Sequence, residues 1–146
     1  MIQLQGTRQF AVTSERLYPE LADLTHLVKT LPDVKTVKEV SESHAIVVVA
    51  PGLSFIKGEL EATITRIAAT PNTKAELSIA SKGIGTTVKV QASFSLADND
   101  AGCEMTWQAQ VLELGGLLKL VPGSLLQGAA KKVIEGWLTS LQQRLQ

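Results

Sequence analysis

The sequence predicts an α+β domain in which one curved antiparallel sheet of about seven strands wraps around a long C-terminal helix. Two short helices are expected after the first strand. Five segments alternate apolar and polar residues, which is typical of strands with one buried face, and the C-terminal segment repeats apolar residues at three- and four-residue spacing. Short polar turns join the strands, and such links favour antiparallel neighbours because parallel pairs need long crossovers.

The alternation identifies the face that each strand buries, and polar residues occupy the positions in between. The inward residues are Ile2, Leu4, Phe10 and Val12; Ile56, Leu60, Ala62 and Ile64; Ala75, Leu77 and Ile79; Val88, Val90, Ala92, Phe94 and Leu96; and Cys103, Met105, Trp107, Ala109 and Val111. Two weaker strands are predicted at residues 34–40 and 45–50.

Residues 14–31 predict the two short helices, with Ser14 and Asp23 as their N-caps. Pro19 fits poorly inside a helix and predicts a start or a kink, while Pro32 ends the second helix. We see neither a linker nor a repeat, so residues 1–146 are predicted to form a single domain.

The C-terminal helix is predicted to begin at Ser124, its N-cap, and to run for about five turns. Its apolar face comprises Leu126, Ala129, Ala130, Val133, Trp137 and Leu141. This pattern indicates a helix with one face turned to the sheet and the other turned to solvent.

Composition narrows the function classes. The 14 basic residues equal the 14 acidic residues, so no net charge attracts nucleic acid. Cys103 is the single cysteine, which excludes an intramolecular disulfide and fits a reducing compartment. No signal pattern or membrane-spanning stretch is evident, so we expect a cytoplasmic protein.

Catalytic patterns are largely missing. His26 and His44 lack metal-ligand spacing, and Glu59 and Glu61 fall on an outer strand face. There is no P-loop, no nucleophile elbow and no dinucleotide-binding glycine pattern. We therefore expect no enzyme, no cofactor and no metal, although a pocket enzyme remains the weakest of three open hypotheses.

Arg8 is the one ionisable residue on the inward faces. A buried guanidinium must find a partner, reach water at the sheet's rim, or meet the polar end of a ligand. The small inward residues Ala92 and Ala109 pose a related question, because a face with such small side chains leaves room. Either helix side chains such as Trp137 fill that room, or a ligand does.

The segment from Leu117 onward carries four basic residues, Lys119, Lys131, Lys132 and Arg144, against the single acid Glu135. It could be a solvated surface, or it could contact anionic lipid at the inner face of the cytoplasmic membrane. Leu117, Leu118, Leu120 and Val121 precede the helix as an apolar cluster. They are interpreted as a pocket mouth, a partner patch or a loop that closes the core.

Four segments stand out along the chain: GTRQFAVTSERLY at residues 6–18, LPDV at 31–34, VAPGLSFIKG at 49–58 and PGSLLQGAAKKVIEGWL at 122–138. Together they resemble the family of carbon monoxide dehydrogenase G subunits, within the START-like (SRPBCC, helix-grip) superfamily. Arg8 departs from the family pattern, where an aromatic or aliphatic residue is expected.

The resemblance implies a helix-grip fold and a small non-enzymatic accessory protein. Such proteins are associated with molybdenum hydroxylases of the carbon monoxide dehydrogenase type and with the membrane or its quinone pool. The superfamily holds lipids and other apolar molecules between sheet and helix, so we predict a binder of a lipid or an isoprenoid quinone. The alternative is a protein-interaction module without a ligand. The predicted ligand-binding residues are Arg8, Phe10, Ile56, Leu60, Ala92, Met105, Trp107, Ala109, Leu126, Val133 and Trp137.

Overall fold

The alternating segments form one sheet in a computed structural model of the protein, which describes residues 2–50, 58–83 and 85–145. The strands are β1 (Ile2–Phe10), β2 (Val34–Val40), β3 (His44–Val49), β4 (Leu60–Thr70), β5 (Lys74–Gly83), β6 (Thr86–Asn99) and β7 (Gly102–Gly116). The helices are α1 (Ser14–Ala22), α2 (Leu24–Thr30) and α3 (Gly123–Arg144), and a 3₁₀ turn spans Leu117–Leu120. Within the described residues the seven strands pair antiparallel in the order β1-β7-β6-β5-β4-β3-β2, which confirms the predicted fold class.

The register confirms the predicted inward faces, because directly paired residues of antiparallel strands share one face. One cross-strand row joins Ile64, Ile79, Val90, Val111 and Ile2. The next row joins Leu77, Ala92, Ala109 and Leu4. Leu60, Ala62 and Ile64 are buried as well, so the inward face assigned to the central segment is correct where it is described.

The strand β4 begins later than the alternation suggests. The predicted site residue Ile56 lies outside the described residues, and the strand starts at Leu60. Gly58, which lies between the predicted inward residues Ile56 and Leu60, precedes the strand with a φ of 79°, a left-handed conformation that glycine adopts without the steric penalty of a Cβ atom.

Both short helices exist, but Ser14 does not cap the first. The side chain of Thr13 accepts a hydrogen bond from the backbone N–H of Arg16 and caps α1. Ser14 instead donates its N–H and its hydroxyl to the carboxylate of Asp98, at 2.7 and 2.8 Å. These bonds hold the pKa of Asp98 below its usual range and tie α1 to β6.

Two further expectations about helices require correction. Pro19 lies inside α1, so it does not start the helix as one of its two expected roles required; a kink at Pro19 stays a prediction. The helix α3 begins at Gly123, so Ser124 lies inside it. Its N-cap is Pro122, which supplies no side-chain hydrogen bond. Asp23 caps α2 as predicted.

Two apolar clusters fill the concave side of the sheet, and Trp137 packs against both. The first joins β1, β6, β7 and α1 to the C-terminal part of α3. The second places Leu24, Leu27 and Val28 of α2 over β3, β4 and β5. The long helix therefore covers only part of the sheet, and α2 covers the rest. None of the described helices has the length and apolarity that crossing a membrane requires.

Candidate functional site

The helix α3 is held to the rest of the fold through its second half, residues 134–144, called here the anchored half. Leu138 and Leu141 are fully buried. The Nε1–H of Trp137 donates to the Thr30 hydroxyl at 3.0 Å. The Nε2–H of Gln142 donates to the backbone oxygen of Gln9 at 2.7 Å, which fixes this half against both β1 and α2.

Residues 123–133, called here the open half, contrast with it. All eleven are described, and no side chain among them is buried. Leu126, Ala129 and Ala130 are half-buried. The hydrogen bond from Gln127 Nε2 to the backbone oxygen of Gln3 is 3.5 Å long. The open half is therefore loosely held over the sheet.

The sheet shows the same contrast along its strands. Ile2, Ile79, Val90 and Val111, which share a cross-strand row, are all half-buried. Ala92, on the neighbouring row, is half-buried too. Toward the other end, which α1 covers, Phe10, Met105 and Cys103 are at most 2% exposed. Apolar surface thus remains uncovered at the end where the open half begins.

A cleft of about 440 Å³ separates β1 from the open half. Its lining includes Leu4 on the strand and Gln127, Gly128 and Lys131 on the helix. A Cβ atom added at Gly128 would meet no heavy atom within 4 Å. Close packing of helix on sheet does not explain this glycine, because in such packing the missing side chain brings two surfaces together.

A groove of about 310 Å³ lies elsewhere, on the outer face of the sheet. Its lining mixes polar residues such as Ser93, Ser95, Thr106 and Gln108 with apolar ones such as Ala68 and Ala69. The cleft is lined mainly by polar residues as well, so the polarity of the lining does not distinguish the two spaces. The cleft is the better candidate because it borders the open half of α3, where apolar side chains are only half-buried.

Arg8 faces α3, as the alternation predicts, and finds its partners there. One terminal nitrogen lies 2.6 Å from Glu135 Oε2. The other donates to the Thr139 hydroxyl at 2.9 Å and to Gln142 Oε1 at 3.3 Å. Protein groups therefore satisfy the guanidinium, and a ligand contact by Arg8 stays a prediction. The three partners went unrecognised in the sequence, although their spacing places them on one helix face.

The structure separates the other predicted site residues into two groups. Phe10, Met105, Trp107 and Ala109 are buried in the first apolar cluster. Ala92, Leu126 and Trp137 are half-buried. Leu60 is buried and packs so closely on Gly83 that a Cβ atom there would collide with its Cδ2 atom. The ligand contacts themselves stay predictions.

Val133 departs from the expected helix face. Its side chain is 40% exposed, whereas its neighbour Ile134 packs against the first cluster. The expectation that Val133 lies on the buried face is wrong. The spacing alone cannot distinguish adjacent positions at the edge of an apolar stripe, and the anchored half turns the Ile134 side toward the core.

Acid–base groups are sparse on the concave side. Burial raises the pKa of the Cys103 thiol, which makes it an unreactive apolar residue. His26 is close to Glu20 and Asp23 on the helical surface, with contacts of 3.5 and 3.8 Å. In the part of the chain that is described, no group of three His, Cys, Asp or Glu side chains is placed to hold a metal ion.

The 3₁₀ turn closes one end of the concave side. Leu118 is buried, at 1% exposure, while Leu117 and Leu120 are 59% and 81% exposed. Leu125, in the first turn of α3, is 52% exposed. We call Leu117, Leu120 and Leu125 the leucine patch. Lys119 is also exposed on the same turn, so the patch combines apolar and basic side chains.

Comparison with protein families gives a match over residues 6–146 to the family model that describes the G subunit of carbon monoxide dehydrogenase, CoxG. A comparison with curated proteins finds no match. The family match covers nearly the whole chain and includes the second half of β1 and all of α3.

Solved structures show the same fold. A conserved protein from Geobacillus kaustophilus is 21% identical with a TM-score of 0.89, covering 99% of this chain and 95% of that chain. A START superfamily protein from Mycobacterium smegmatis is 14% identical with a TM-score of 0.71, covering 98% and 96%. A STAR-related lipid transfer protein fragment from Xanthomonas axonopodis is 12% identical with a TM-score of 0.64, covering 98% and 85%. The fold of this chain is therefore START-like.

Proposed function

The chain belongs to the family of carbon monoxide dehydrogenase G subunits (CoxG), and on that premise we propose that it is a non-enzymatic binder of an apolar small molecule. The molecule, of the lipid or isoprenoid-quinone class, would lie between the concave face of the sheet and the open half of α3. The similarity to a STAR-related lipid transfer protein supports this ligand class.

One observation carries the proposal: apolar side chains remain half-buried on the inward face of the sheet and on the open half of α3, and the proposal is that a ligand lies between these two surfaces. Val90, Val111 and Ala92 are half-buried on the sheet, and Leu126 and Ala130 are half-buried on the helix. Covering apolar surface is favourable by about 25 cal/mol per Å². A molecule bound between the sheet and the helix would cover apolar surface on both and would be stabilised by each. In a fully packed core these side chains would already be buried against one another.

Native mass spectrometry of gently purified protein tests the proposal directly, because a retained ligand appears as added mass. A polarity-sensitive dye that fluoresces in apolar surroundings gives a second readout. We expect Ala92→Leu to reduce dye uptake, since the larger side chain fills the space beneath the helix. Gln91→Leu, at the adjacent outward-facing position, is the matched control. Absence of both added mass and dye uptake would refute ligand binding.

A second candidate function is recruitment of a larger complex, and the leucine patch favours it. Exposed leucines beside Lys119 suit docking to a molybdenum hydroxylase of the carbon monoxide dehydrogenase type, or peripheral contact with an anionic membrane. Leu120→Ser should abolish such docking while dye uptake persists. Co-purification with the hydroxylase and sedimentation with phosphatidylglycerol vesicles separate the two partners. If Leu120→Ser changes neither, the patch is not a docking surface.

A further inference from the structure

We infer that the indole N–H of Trp107 recognises the polar end of the bound molecule, which is therefore an apolar compound with a neutral carbonyl or ether oxygen. This inference rests on the proposed function of the cleft as an apolar binding site, and it adds the chemical group that the site selects.

The first observation is an unpaired donor. Trp107 is 5% exposed, and its Nε1 atom is enclosed without a hydrogen-bond partner among the described residues. Trp137, the other tryptophan, donates its N–H to Thr30. Buried donors in folded proteins are nearly always paired, because an unpaired one loses its hydration without compensation. Trp107 therefore has a donor available for an incoming acceptor.

The second observation is where this donor lies. Trp107 is paired with Gly6 of β1. A Cβ atom at Gly6 would come within 2.9 Å of Trp107 Nε1 and within 2.8 Å of Cζ2, so the ring edge covers the glycine backbone. Leu4, the preceding inward residue of β1, lines the cleft. Its partner Ala109 lies two residues from Trp107 on β7. Trp107 is thus one inward position from Leu4 of the cleft lining, with Gly6 as its partner on β1 and Phe94 as its partner on β6.

The surrounding charges determine what kind of acceptor fits. An indole N–H donates and cannot accept, so its partner must carry a lone pair. Arg8 is the next inward residue of β1 after Gly6, and its terminal nitrogens are engaged by Glu135, Thr139 and Gln142. Glu135 balances the charge of Arg8, so beside Trp107 this guanidinium offers no uncompensated charge to an anionic head group; the cation that lines the cleft is Lys131, on α3. A neutral oxygen matches this site better than a carboxylate.

Two probes of equal chain length test the inference: a long-chain methyl ketone and the corresponding alkane. The protein has two tryptophans, so a proton–nitrogen correlation spectrum shows two indole signals, which Trp137→Phe assigns. We expect the ketone to move the Trp107 signal downfield and to bind about tenfold more tightly than the alkane. The alkane should not move that signal downfield.

Trp107→Phe keeps an aromatic ring and removes the N–H, so the ketone should bind it no better than the alkane. Gln91→Leu, on the outward face of the sheet, should retain the ratio of the two affinities. The inference is overturned if wild-type protein binds both probes equally and the Trp107 signal stays in place, a result that leaves apolar binding intact. If neither probe binds, the proposed function itself is wrong. If Trp107→Phe does not fold, the position of the Trp107 signal in the wild-type spectrum still tests the inference.

Discussion

The two halves of α3 differ in their surroundings. The anchored half buries Leu138 and Leu141 completely and exchanges hydrogen bonds with β1 and α2. The open half, equal in length, buries no side chain. The anchored half of the helix therefore stabilises the fold, while the open half lies over apolar surface that it buries only in part.

This difference offers a route for an apolar molecule to enter without unfolding the domain. Segments with few buried apolar contacts open locally at low free energy, whereas those that form the core open only with the whole fold. The open half belongs to the first kind and the anchored half to the second. Movement of the open half would widen the cleft while Leu138 and Leu141 keep the helix attached.

The largest expected effect contrasts Leu141→Ala with Leu126→Ala. Leu141 is fully buried in the anchored half, so its truncation should lower the free energy of unfolding by about 2–5 kcal/mol. Leu126 is half-buried in the open half, and its truncation should lower it by about 1 kcal/mol or less. Urea denaturation measures both. Equal losses would mean that the two halves are equally packed.

A second pair of variants sharpens the contrast on the sheet, where Ala109 and Ala92 are neighbours in one cross-strand row. Ala109 is 7% exposed, so Ala109→Leu should overpack the core and lower the free energy of unfolding by about 1–3 kcal/mol. Ala92→Leu should have little effect on stability, because Ala92 borders uncovered space. Urea denaturation measures the stability of both variants, and dye uptake measures binding. If Ala92→Leu is destabilised while its dye uptake is unchanged, the core around Ala92 is packed.

Arg8→Leu tests the tether between β1 and the anchored half. The side chains of Arg8 and Glu135 are 18% and 40% exposed, and partly exposed ion pairs contribute about 0–1 kcal/mol. We expect Arg8→Leu to lower the free energy of unfolding by an amount of that size. The affinities for a quinone-like ligand and for a matched alkane should not change, because the guanidinium already has protein partners. Tryptophan fluorescence quenching measures both affinities. A loss confined to the quinone-like ligand would assign its head group to Arg8.

The smallest expected effect is a pH dependence at the closed end. Hydrogen bonds from Ser14 lower the pKa of Asp98 in the folded state. The stabilisation is therefore complete above the unfolded pKa, which is about 3.9, and is lost as the pH falls through the folded pKa. Ser14→Ala removes one donor and should weaken the acid dependence of unfolding. Superimposable acid-unfolding profiles of Ser14→Ala and the wild type would show that this contact is not formed in solution.

The sequence predicts the strands well because alternation reports burial directly. The segment from Val88 to Leu96 was predicted to alternate, and it lies within β6, which extends from Thr86 to Asn99. The sequence predicts the site less well, since local periodicity does not reveal which part of a helix packs against the rest of the fold. The contacts of Arg8 with Glu135 and of Trp137 with Thr30 join residues more than one hundred positions apart. Val133 and Ile134 differ in burial for the same reason: tertiary packing selects between adjacent positions.

Hydrogen exchange of the α3 backbone amides, with and without a decyl-tailed quinone, is the most direct test of the central claim that the ligand lies under the open half. Without ligand, amides of residues 127–133 should exchange faster than those of residues 137–144. The ligand should slow exchange in the open half and leave the anchored half nearly unchanged. Uniform exchange along α3 without ligand, or ligand protection confined to the anchored half, would contradict the account.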